Sequence, residues 1–164
     1  MDFSLSVETK IFNKHIADFN RRTNVTTEKV IKKFAFDLLA RIIRKTPVDT
    51  GRARGGWFPA LEGLAKGSMK SVEFDLSGKS KKFSQEAFED GKTKGQFIDH
   101  TKGFASKKWV ELINGVEYII FLEYGWSQQA PYGMVRLSMR EMSKSELPKN
   151  MIEELQKDWK RFSH

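Results

Sequence analysis

TTEKVIKKFAFDLLARIIRKTP, residues 26–47, is the stretch on which the fold turns. Val30, Phe34, Leu38 and Ile42 step by four, and Ile31, Ala35, Leu39 and Ile43 flank them. That spacing predicts an amphipathic helix with a wide apolar stripe, about four turns long. Thr26 or Thr27 can cap its start, and Glu28 suits its positive end. Arg41, Arg44 and Lys45 suit its negative end, and Pro47 biases Thr46 out of the helical region and stops it.

Upstream, Val7, Ile11 or Phe12, Ile16 and Phe19 predict a separate first helix over residues 6–22, with a polar turn at Asn20–Asn24. Downstream runs Thr46-Pro47-Val48-Asp49-Thr50-Gly51-Arg52-Ala53-Arg54-Gly55-Gly56-Trp57. Asp49 can bond its own downstream amides in a turn or cap a short helical turn, and Gly51 can take positive φ without a steric penalty. Gly55-Gly56 loosens the chain before Trp57, where a strand is expected through Leu61.

Residues 63–108 hold six of the twelve glycines and ten lysines. Ser71–Leu76 alternates like a strand. Residues 79–108 read as an extended loop or arm with a helical turn at Ser84–Glu89, and Phe83, Phe88, Phe97, Ile98 and Phe104 argue that it packs on something. Lys108–Asn114 has strand composition, and Asn114-Gly115 is a turn signal. Val116–Tyr124 fits a strand or a short buried helix, with Tyr118 and Phe121 in the core. A helix follows Met134 with Val135, Met139 and Met142 on one face, and Pro148 opens a final helix striped by Met151 or Ile152, Leu155, Trp159 and Phe162. The expected fold is a single α+β domain over residues 1–164, an antiparallel sheet flanked by N-terminal and C-terminal helices.

Composition narrows the chemistry. With 164 residues and no cysteine, the chain needs no disulfide and offers no thiol or Cys-type metal site. Its three histidines are scattered, its N-terminus lacks a signal-peptide pattern and no apolar run approaches membrane-spanning length. The net charge of +8 is uneven, +5 over residues 1–65, +4 over 66–108 and −1 over 109–164. Such an excess suits nucleic acid or an acidic partner, yet lysines dispersed among Asp and Glu also describe an ordinary solvated surface. Asp99-His100 as a general base, Glu86, Glu89 and Asp90 as a divalent site, and Glu111, Glu117 and Glu123 as paired carboxylates each lack a supporting cluster. No cofactor, metal site or enzymatic activity is expected.

Aromatic residues say more. Tyr118, Phe121, Tyr124, Trp126 and Tyr132 fall within fifteen positions, broken by Gly125 and Gly133. Tyr and Trp beside glycines in a loop are typical anchors of a protein interface, which makes Tyr124, Trp126, Pro131, Tyr132, Arg136 and Glu123 the interface candidates. Glu123, a carboxylate inside an apolar run, is expected to pair with Arg52, Arg54 or Arg136.

Two segments carry a family resemblance. One is the turn with Pro47, Asp49, Thr50, Gly51 and Arg52, followed by Trp57. The other is Asn114-Gly115-Val116-Glu117-Tyr118, then Leu122-Glu123-Tyr124-Gly125-Trp126-Ser127, Gln129-Ala130-Pro131 and Gly133-Met134-Val135-Arg136. In this order and spacing they resemble the neck or tail-completion (head–tail joining) proteins of long-tailed bacteriophages, over roughly residues 26–62 and 109–145. The resemblance implies a non-catalytic virion protein assembled in the host cytoplasm into a ring, usually a homo-hexamer. Its partners would be further copies of itself, the head connector or adaptor protein, and the tail terminator or tail tube protein. DNA would pass through the lumen without specific binding, with most lysines turned away from it. The competing expectation is a basic nucleic-acid-binding phage protein.

Overall fold

The computed structural model describes residues 10–65, 80–102 and 107–145 and the helical positions 153, 156, 157 and 160, with side chains from Thr27 onward except at 143–145. The fold class is α+β, with helices on either side of a two-stranded antiparallel sheet.

Helix α1 (Lys10–Lys45) is one continuous element, not two. Nothing between Lys10 and Lys45 is Gly or Pro. Asn and Thr lower helix propensity by only a few tenths of a kcal/mol each, too little to break a propagating helix, so Asn20–Asn24 is carried through. The helix runs about 54 Å at 1.5 Å per residue. It stops where Pro47 predicts: Thr46 is buried, and both its N–H and its Oγ1 bond the Ile42 carbonyl at 2.8 Å.

After the turn come α2 (Arg52–Gly55) and α3 (Phe58–Ala65). The strand expected from Trp57 to Leu61 is therefore helix. Pro59 sits in its first turn, where a missing N–H is harmless, and Ala60, Leu61, Leu64 and Ala65 are good helix formers. Within 79–108, read as an arm, the described residues hold α4 (Gln85–Thr93) and β1 (Gly95–Asp99). Ser84 caps α4 by accepting from the Ala87 N–H, a start signal that the surrounding lysines and glycines mask. Strand β1 pairs with β2 (Val110–Asn114), in register from Gly95 opposite Asn114 to Asp99 opposite Val110. The strand read at Ser71–Leu76 and the apolar stripe of the last helix lie outside the described residues.

Val116–Tyr124 resolves to a short helix, α5 (Ile119–Glu123), and it is not buried. Ile119 and Leu122 pack on the core, while Ile120, Phe121 and Tyr124 turn to solvent. Tyr118 at 36% and Phe121 at 46% exposure are thus surface residues, not core. Helix α6 (Val135–Ser145) directs Ser138 and Met142 inward, one turn apart. Met139 lies outside that face and is exposed, so the inward face is Ser138 and Met142 with the half-buried Val135, and not the one expected.

The core gathers the C-terminal half of α1 (Ala35, Phe36, Leu39, Ile42, Ile43), Trp57, and Ala60, Leu61 and Leu64 of α3. Ala130 and Met134 close it from the second motif, and Phe97, Val110 and Leu112 of the hairpin lie against it. No helix among the described residues is long and apolar enough to cross a membrane.

Leu39 is fully buried at the centre of this cluster. Leu39→Ala should destabilise the fold by about 2–5 kcal/mol, read as a shift in the urea midpoint. Ser138 Oγ is buried without a hydrogen-bond partner. Ser138→Ala should therefore raise stability, by about 1 kcal/mol, in the same titration.

Candidate functional site

The two motif segments meet on one side of the molecule. Gly51 precedes α2 at φ 95°, a left-handed conformation, and a Cβ there would overlap the Phe83 ring. The N-cap of α2 is Gly51 itself, which has no side chain to cap the helix. The Asp49 carboxylate faces Lys82 at 3.6 Å, and its carbonyl accepts from Ser80 Oγ at 2.7 Å. The Thr50 carbonyl accepts from the Ser84 N–H at 2.9 Å, which fixes the turn to the start of α4.

Gly55 does the opposite of loosening the chain. A Cβ at Gly55 would overlap the Phe88 carbonyl, and one at Gly91 would overlap the Arg52 carbonyl. Helices α2 and α4 thus touch backbone to backbone through two glycines. Gly56 lies equally close to the Asn114 side chain, whose Nδ2 donates to the Ala53 carbonyl at 2.9 Å and whose Oδ1 accepts from the Val116 N–H at 3.1 Å.

Arg52 spans this junction. Its Nε donates to Asp90, and its Nη1 and Nη2 donate to Glu117 at 2.6 and 3.3 Å. The fork geometry joins the first motif, α4 and the second motif, which a lysine point charge would not do as well. Hydrogen bonding from Arg52 brings the Glu117 carboxyl down to about 2.

Glu123 performs the second junction. Its Oε2 accepts from the N–H groups of Met134 and Val135, both at 2.8 Å, and its Oε1 accepts from the Arg136 N–H at 2.9 Å and Nε at 3.1 Å. Arg136 Nη2 also donates to the Glu123 carbonyl at 2.6 Å. Of the three arginines considered from sequence, Arg136 is the partner; Arg52 serves Asp90 and Glu117, and Arg54 Nε donates to the Thr46 carbonyl. Sequence reasoning supplied the arginine but missed the larger role: one carboxylate satisfies three orphan N–H groups at the start of α6. A Cβ on Gly133, which has φ 78°, would overlap the Glu123 carbonyl oxygen, so the glycine is what lets the chain wrap round the carboxylate.

These anchors hold the aromatic loop. Gly125, at φ 85°, lies against the Pro131 carbonyl, bringing residues 124–126 beside 131–132. Trp126 is 78% exposed, Tyr132 75% and Tyr124 65%. The Phe121 and Trp126 rings pack at a 46° tilt with centroids 4.9 Å apart, and the Arg136 guanidinium covers the Tyr124 ring at 4.9 Å. Trp57, by contrast, is core.

The remaining ionisable groups are dispersed. Burial alone would raise the Asp99 carboxyl, but Lys32 at 2.8 Å and the Thr101 hydroxyl and N–H bring it down to about 2. His100 stacks on Trp109 and meets Glu111 at 2.9 Å, so the two members of the Asp99-His100 pair serve different partners. Glu89 lies beside Gln85 and Lys92, while Asp90 belongs to Arg52. Glu111, Glu117 and Glu123 stand in three separate environments. Among the described residues no group of three His, Asp or Glu side chains could hold a metal ion.

No protein-family model, curated protein or solved structure matches this chain.

Burial pushes the Glu123 carboxyl up, but the N–H groups of Arg136, Val135 and Met134 and the Arg136 guanidinium outweigh it, and the net shift is below the ordinary 4.5. A lowered folded pKa means stabilisation that is complete above about pH 4.5 and is lost as pH falls through the folded value. Glu123→Gln should lower stability at pH 7 by about 0.5–2 kcal/mol, the usual worth of a helix cap. Its deficit against the parent should shrink as pH drops below 4.5, followed by thermal melts across that range.

Proposed function

We propose that this chain is a structural virion protein that assembles into a homo-oligomeric ring at a phage head–tail junction, joining the head connector to the tail tube. The observation that carries the reading is the exposed aromatic surface of Tyr124, Trp126 and Tyr132 on a loop pinned by Glu123 and two positive-φ glycines. Large aromatic side chains left in water on a fixed frame are characteristic of a surface that another protein covers. Fixing them beforehand reduces the entropy lost on docking.

The resemblance of residues 26–62 and 109–145 to neck and tail-completion proteins supplies the setting. In the structure those two segments are coupled through Arg52–Glu117 and Asn114–Ala53, consistent with one assembly surface built from both. A cyclic ring needs heterologous contacts, one patch of each copy meeting a different patch of the next. Hexamer copy number, the connector and tail-tube partners, and passage of DNA through the lumen without specific binding belong to this proposal.

Trp126→Ala and Tyr124→Ala should leave the thermal melt within about 0.5 kcal/mol of the parent, as expected for exposed positions. They should abolish ring formation by mass photometry, and phage carrying them should accumulate unjoined heads and tails. Tailed, infectious particles formed in the complete absence of this chain would refute the reading.

A further inference from the structure

Residues 44–49, 80–82 and 129–133, with Arg54 and Leu137, line a groove of about 620 Å³. Arg44, Lys45, Arg54, Lys81 and Lys82 line it, against a single lining carboxylate, Asp49. Glu141 engages Lys45 at 2.8 Å and Asp49 stands 3.6 Å from Lys82, while Lys81 and Lys82 are both exposed. Val48, Pro131 and Leu137 add apolar surface among polar neighbours, and the exposed Tyr132 is part of the lining.

We propose that this groove docks an acidic polypeptide segment, rich in Asp or Glu and carrying aliphatic side chains, from another protein. Charge complementarity selects the carboxylates: Arg54 is oriented by its bond to the Thr46 carbonyl, and Lys81 and Lys82 project from an exposed turn. The apolar lining selects a peptide over nucleic acid. Valine, proline and leucine accept aliphatic side chains, whereas single-stranded nucleic acid needs a succession of aromatic platforms and this groove has one. A second copy docking groove to groove would set like charges against each other. The inference does not require ring assembly: Tyr132 borders both surfaces, but the cations lie on the groove side.

The test uses the full chain and a fluorescent peptide of alternating Glu and Leu, about a dozen residues long, read by anisotropy at low and physiological salt. The expected result is binding that weakens at least about tenfold in Lys81→Glu/Lys82→Glu, each site being exposed. Tyr132→Ala should weaken it less, and the charge-matched Lys29→Glu/Lys33→Glu, exposed on α1, should leave it unchanged. Four results would overturn the proposal: no binding of the acidic peptide, equal binding of a Gln/Leu peptide, tighter binding of single-stranded or duplex DNA of matched charge, or equal loss in the α1 control. Ring formation, measured on the same variants, separates this outcome from the fate of the assembly proposal.

Discussion

Two helices can meet backbone against backbone only where neither presents a side chain. Gly55 of α2 and Gly91 of α4 meet that condition at once, each facing a carbonyl of the other helix. Everything on the motif face is placed by that contact. It sets Arg52 within reach of Asp90 and Glu117, brings Ser84 to the Thr50 carbonyl, and delivers the chain from α4 into β1 beside Gly56. Exposed ion pairs contribute little by themselves, so the Arg52 bridges register a geometry that glycine packing has already established.

Three carboxylates follow one pattern: each holds a piece of chain. Glu117 ties the second motif to Arg52, Glu123 starts α6, and Asp99 links the hairpin end to Lys32 of α1. A carboxylate held down near 2, as at Asp99 and Glu117, is a weak proton acceptor at neutral pH. The same residue types that a sequence scan offers as acids and bases here organise termini and crossings.

The legible parts of the sequence were those with a long period or a hard stop. The stripe from Val30 to Ile43 and the break at Pro47 predict the buried half of α1 and its end. Lys108–Asn114 with its Asn-Gly turn predicts β2. Short elements were harder, because four or five residues do not distinguish a strand from a helix; Trp57–Leu61 went to helix and Phe121 to the surface for that reason. Gly51 is legible as a positive-φ position, but Gly55-Gly56 reads as looseness because its role lies on Phe88 and Asn114, tens of residues away. Glu123 was legible as a residue needing a cation, since an apolar run surrounds it, but its three N–H partners depend on a loop reversal that Gly125 and Gly133 make possible.

The exposed ring of Trp126 beside Phe121 has one more consequence. An exposed aromatic face of this kind attracts other apolar surface on contact. A net charge of +8 provides repulsion between copies at a distance, while the apolar attraction acts only on contact. Dissolved ions shorten the reach of the first and leave the second intact. On the ring assembly proposed above, a rise in ionic strength therefore favours association of the subunits over a dispersed pool.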